Sequence, residues 1–332
     1  MTTPGRTAPA VAPPARRRRS AVLVRRLLWA ALLVGFVVTC VRTGLPTDRV
    51  SLLGWVLAGL VVSCVGRGRR ALLRLATDWL PLVVLLLLYD LTRGLADTLG
   101  MPVHVTELIA ADRFLTGGTL PTVWMQEHWQ ALWWKVLATI VYASHFVVTP
   151  AVLAVLWVRD RTRWVVYARM VLGLSAAGLV TYVLYPAAPP WLAAKEGTVE
   201  PIARISNDGW QVMGLPKAGA LLNTGQGQVN AVAAVPSLHT AFAVLTCLAL
   251  FPMARRVWQR VGLVAYAVLM PVVLVWSGEH WVVDTALGAV YAAVVCWLVT
   301  VLSRRWRDRR GQVPPTTPAP AADSVTATTS SG

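Results

Sequence analysis

The chain has 332 residues, 56% of them hydrophobic and only 14% charged. Soluble domains carry about 25% charged residues and disordered chains are poor in apolar ones, so both classes are excluded. The net charge of +16 comes from 31 Lys+Arg against 15 Asp+Glu. These basic residues sit in short segments between apolar runs, where they set membrane topology rather than bind nucleic acid.

Residues 1–24 begin with Pro, Ala and Arg, including the arginines at 16–19, and are expected to be a disordered basic cytoplasmic tail. Eight apolar runs follow, near 25–41, 50–65, 75–91, 133–157, 164–185, 232–252, 260–277 and 281–302. Most have the length that spans a bilayer as helix. The first reads as an uncleaved anchor, since no small-residue cleavage site stands out. The expected fold is therefore an all-α polytopic membrane protein, a helical bundle of about eight spans. The third run is the weakest, because it carries Asp78. Residues 303–332 are expected to be a second disordered cytoplasmic tail. The four cysteines lie within apolar runs, without metal or redox spacing.

The charges test the count. With the N-terminus inside, 23 of the 31 Lys and Arg fall on inside segments and 8 outside. That asymmetry predicts both termini in the cytoplasm of a bacterial cell and a multi-pass plasma-membrane protein. Two outside loops are long, at 92–132 and 186–231. Loops of that length in a compact protein are usually functional or disordered. The 16 tryptophans gather near span ends, as interfacial anchors do. Gly173 and Gly178 are expected to permit close helix packing.

Two polar clusters carry the chemistry. Val-Pro-Ser-Leu-His-Thr at 235–240 opens the sixth run. Pro236 suits the first turn of a helix. The N–H groups of Ser237, Leu238 and His239 would then face an anion, with His239 as proton donor. Gly-Glu-His-Trp-Val-Val-Asp at 278–284 opens the eighth run. His280 and Asp284 stand four apart and share a helix face. A carboxylate there fixes one imidazole nitrogen and leaves the other as nucleophile or base. The alternation puts both clusters at the outer membrane face. Two histidines, one carboxylate and an anion-binding helix end suit phosphoryl transfer. Glu279 reads as a solvated loop residue.

This pair of motifs resembles the type 2 phosphatidic acid phosphatase superfamily. Pro-Ser-Leu-His is similar to its inositol phosphorylceramide synthase branch. The stretches 113–118, followed by Pro121, and 185–191 (Tyr-Pro-Ala-Ala-Pro-Pro-Trp) extend the likeness, over about residues 75–302. The two spans in 25–74 stand outside it. The resemblance implies a six-helix core with the site at the outer interface, no metal and no cofactor. It implies His280 as nucleophile, or as base in a direct transfer, oriented by Asp284. It implies His239 as acid, and Ser237 and Leu238 as holders of phosphate oxygens.

The chain departs from the phosphatases in two places. It has no Lys-x6-Arg-Pro, and Leu274 stands where they carry the arginine of Ser-Arg. Replacement cations are sought in Arg204, Lys217 or Arg93. His145 reads first as a satisfied buried histidine and second as a substrate contact. Asp90 and Arg93 read as an ion pair, with a substrate role second. His104 and His128 read as interfacial.

The expected activity is transfer of a phosphorylated headgroup, phosphoinositol among the candidates, from a membrane phospholipid to a lipid or glycan hydroxyl. Hydrolysis of a lipid phosphate or pyrophosphate, with water as acceptor, would use the same residues. A non-catalytic scaffold or transporter is the alternative of another class. The oligomeric state is not legible.

Overall fold

The structure is a computed structural model describing residues 15–43, 49–91, 99–216 and 231–311. Among them it forms twelve α-helices and one 3-10 turn. Eight helices correspond to the eight apolar runs: α1 (Ala15–Thr43), α2 (Arg49–Cys64), α3 (Arg69–Leu91), α6 (Leu132–Arg159), α7 (Arg161–Leu184), α10 (Leu238–Leu250), α11 (Val257–Trp276) and α12 (Val282–Gly311). Five of them are long and apolar enough to cross a membrane, and Ser51–Cys64 and Leu238–Met253 are shorter apolar helices. Helix is the form these runs must take, because lipid offers backbone N–H and C=O groups no partner.

Several bounds differ from expectation. α1 begins at Ala15, so the arginines at 16–19 form its first turns rather than part of a tail. α12 continues to Gly311. The sixth run starts as a turn, and its helix begins only at Leu238. Residues 1–14 and 312–332 lie outside the described residues.

α10 sits at the centre of the bundle. Its Leu238, Ala241 and Leu245 are buried with Leu174 of α7 and Ala292 of α12. Its Ala243 is buried with Met270, Val273 and Leu274 of α11 and Ala138 of α6. Two glycines set the spacing. A Cβ on Gly178 of α7 would come 2.7 Å from Leu238 Cδ2, and one on Gly288 of α12 would overlap the Ser237 carbonyl oxygen. Gly173 makes only ordinary contact, with Val295.

Asp78, the charge in the weakest span, is explained by its partners. Arg161 Nη2 lies 2.6 Å from its Oδ1, and Trp157 Nε1 donates to Oδ2 at 2.9 Å. That pairing ties α3 to the α6–α7 corner.

The described parts of the two long loops, 99–131 and 186–216, fold over one end of the bundle. The first contains α4 (Thr106–Thr116) and α5 (Pro121–His128), the second α8 (Pro190–Lys195) and α9 (Asp208–Val212). They share a small core of Leu108, Leu120, Ala193, Ile202 and Val235 around Trp281. Trp281 has no exposed surface, and its indole N–H donates to the Ala188 carbonyl at 2.8 Å. Gln126 of α5 clamps the loops to α11, donating to the Ala203 and Trp276 carbonyls.

Candidate active site

Ser237 ends the turn before α10 and caps that helix, its Oγ accepting from Thr240 N at 3.3 Å. Its own N–H donates to the Asp284 carbonyl at 3.0 Å. The expected trio of ligand-facing N–H groups is therefore corrected. The Ser237 N–H locks the two motifs together instead, and the buried Ser237 hydroxyl lies 3.3 Å from Thr240 Oγ1. The cause is the close approach of α12 that Gly288 allows. Tyr182 of α7 donates its hydroxyl to the Pro236 carbonyl and braces the turn from the other side.

His280 and Asp284 meet as their spacing predicts. Nδ1 of His280 lies 3.2 Å from Oδ2 of Asp284, and Asp284 is fully buried. A carboxylate in that position accepts the Nδ1–H and leaves Nε2 with its lone pair. The His239 ring centroid is 5.6 Å from that of His280. His239 is packed between α10 and α6, stacked on Tyr142 at 5.2 Å and tilted against His145 at 4.1 Å. Thus His145 stands beside the pair, on the wall of the same cavity.

Three contributors lay beyond sequence reasoning. Asp112 of α4 is fully buried and accepts from the N–H groups of Val282 and Val283, at 2.9 and 3.0 Å. It caps the helix that carries Asp284. Burial pushes its carboxyl above the ordinary value, and the two backbone donors oppose that shift. Glu279 is not solvated. It is only 7% exposed and holds Arg204 through two bonds, of 2.8 and 3.0 Å, while Ser206 donates to it at 2.6 Å. Arg204 also lies over the Trp191 ring, 4.8 Å from its centroid. Burial opposes its charge, but Glu279 and then Tyr142 outweigh burial and hold the guanidinium above its ordinary value. Tyr142 is the third. No local pattern marks any of them, since each meets its partner from a distant part of the chain.

Arg204 is thus brought to the site. Arg93 and Lys217 lie outside the described residues, as does the Asp90 side chain. Leu274 is buried in the core and faces no ligand position. His104 pairs with Glu107 and stacks on Tyr185, and His128 stacks on Trp124, both away from the site. Among the described residues no group of three or more His, Cys, Asp or Glu forms a metal-ligating cluster.

A cavity of about 390 Å³ opens at the histidines. One part is lined by His239, His280, Arg204, Glu279 and Trp191, and another by apolar residues of α2, α3, α6 and α7. Two imidazoles and a fixed guanidinium therefore share a space with a long apolar recess.

Residues 106–298 match the PAP2 superfamily, which covers α4 through most of α12 and leaves α1 to α3 outside. The chain is 28% identical over 245 residues to the phosphoinositol dihydroceramide synthase of Bacteroides thetaiotaomicron, across 68% of this chain and 76% of that protein. No solved structure matches significantly. The matched segment holds both motif clusters and spans well over half of the chain, and the chain belongs to the PAP2 superfamily.

Proposed function

We propose that the protein is a lipid phosphotransferase that moves a phosphorylated headgroup between lipid hydroxyls at the extracytoplasmic face. The observation that carries this reading is the His280–Asp284 pair facing His239 at the polar end of an apolar cavity. His280 Nε2 attacks phosphorus, and the bond from phosphorus to the leaving alkoxide breaks. His239, protonated at the start, gives its proton to that alkoxide. In the second half an acceptor hydroxyl yields its proton to His239 and attacks phosphorus, which breaks the N–P bond and frees His280. Asp284 stabilises the imidazolium character that His280 gains. Arg204 and the positive end of α10 hold the phosphate oxygens. The charge comes from the protein itself, so turnover is expected to survive a chelator.

The similarity to a protein named phosphoinositol dihydroceramide synthase supports phosphoinositol as the group moved and a long-chain lipid as acceptor. The Lys and Arg asymmetry of the loops supports the extracytoplasmic side. Purified protein in mixed micelles would be given phosphatidylinositol, phosphatidic acid or a prenyl pyrophosphate, with and without ceramide and diacylglycerol. Phosphorus NMR and mass spectrometry would follow products, with His280→Ala as blank. A new headgroup-bearing lipid that requires the acceptor establishes the transferase. Inorganic phosphate released without acceptor makes the protein a phosphatase. No turnover beyond the blank sinks both.

A further inference from the structure

The cavity reaches much farther than the phosphoryl chemistry needs. Along α6 its lining runs from Tyr142 to Leu153, and along antiparallel α7 from Tyr182 to Val171. The eleven helical steps in each case amount to about 16 Å at 1.5 Å per step. The two ladders run side by side, so the recess follows the bundle axis away from His239. Part of its remaining wall comes from Leu52 and Leu53 of α2 and from Trp79, Leu82 and Leu85 of α3. Those helices lie outside the segment that matches the superfamily. Two of the hydroxyl side chains on the wall are turned to the protein. Ser175 donates to the Val171 carbonyl at 2.9 Å, and Thr149 bonds the buried Tyr167 hydroxyl. What remains is an apolar tube, and the cavity as a whole, about 390 Å³, lies inside the roughly 300–1,000 Å³ range of small-molecule sites.

We infer that this recess holds the hydrocarbon chain of the lipid alcohol bonded to the leaving oxygen, with α2 and α3 setting the chain length accepted. The inference rests on the phosphotransferase reading for which lipid it is. In a double displacement the leaving alcohol and the incoming acceptor occupy the same position relative to the phosphohistidine. That position is on the His239 side, since His239 protonates one and deprotonates the other. The rings of Tyr142, His145 and Phe146 crowd His239, and all three line the recess. A chain attached to that oxygen therefore enters the tube. Donor and acceptor take turns in it, and one ruler measures both.

Two measurements test this. Leu82→Trp and Leu85→Trp narrow the tube, and Leu80→Trp, on the 60% exposed outer side of α3, is the control. The readout is the ratio of kcat/KM for palmitoyl to hexanoyl substrates, varied first in the donor and then in the acceptor. The ratio is expected to fall about tenfold in both series for the tube variants, the worth of roughly two methylenes left unburied, and to stay at the wild-type value in the control. A fall in one series only overturns the shared position, and no fall in either overturns the ruler. The second measurement needs no turnover. A phosphatidic acid carrying a diazirine at the chain end is photolysed on His280→Ala protein, and adducts are mapped by mass spectrometry. Labels on residues 79–85 and 171–179 facing the tube are expected. Labels confined to outward residues such as Leu80 and Leu87 overturn the inference even if the protein proves to be a transferase. Tube labelling in a protein without turnover leaves the chain site standing and removes only the enzymatic reading.

Discussion

At the residue scale, the two motif clusters were legible because their logic is local. His280 and Asp284 are one helical turn apart, and any helix at that point brings them together. Replacing His280 with Ala is expected to lower kcat by on the order of 10⁴-fold. Asp284→Asn is expected to cost about 10²- to 10⁴-fold, because the amide cannot hold the same tautomer or balance the imidazolium. A lipid-turnover assay on folded protein checks both. Glu279 was misread for the opposite reason. Its partner Arg204 is 75 residues away, and nothing beside it in sequence announces a guanidinium. If Arg204 holds phosphate while Glu279 only holds Arg204, the two roles separate. Arg204→Ala is expected to lower kcat/KM about 10- to 100-fold, the loss of one charge-assisted contact. It also lowers Tm, since a nearly buried carboxylate loses its counter-charge. Adding Glu279→Gln should restore the Tm and leave kcat/KM low. Recovery of both together would show that Arg204 is purely structural.

At the scale of elements, the helices were legible from hydropathy, and their junctions were not. The register between α10 and α12 depends on a missing side chain at Gly288 and on the Ser237 N–H reaching the Asp284 carbonyl. Those are tertiary facts with no periodic signature. The start of α12 depends on Asp112, which belongs to a loop helix 170 residues earlier. A carboxylate at a helix N-terminus satisfies orphan N–H groups and complements the dipole. Here it also fixes where His280 stands, because Val282 is two residues on. Asp112→Ala is therefore expected to destabilise by about 1–2 kcal/mol and to lower kcat more than it raises KM. Asp112→Asn, which keeps an acceptor, should fall between the variant and wild type. Equal effects on Tm and KM with kcat preserved would mean that α4 merely packs against the bundle.

At the scale of the whole molecule, apolar length marked the helices, charge asymmetry supports the orientation proposed for them, and packing gave the division of labour among them. The most apolar window of α1 has no residue buried in the bundle, and its seam with α2 includes ring-against-glycine contacts, Trp29 on Gly59 and Trp55 on Gly35, and a T-shaped Phe36–Trp55 pair. By contrast, α2 and α3 reach the cavity. Parity decides what truncation does. In the proposed orientation, removing residues 1–64 deletes two spans and is expected to keep every later helix in its orientation, with Arg67, Arg69, Arg70 and Arg74 still at the inner start of α3. Removing residues 1–43 deletes one span and sets those arginines against the new N-terminus. A C-terminal reporter that fluoresces only in the cytoplasm separates the cases. The two-span deletion is expected to keep the signal and to retain headgroup transfer with a flattened chain-length preference, because Leu52 and Leu53 are gone from the wall. The one-span deletion is expected to lose signal and activity together. Were the one-span deletion to insert normally and transfer at the wild-type rate, the loop arginines would not be setting the topology, and the argument for an extracytoplasmic site would lose its basis.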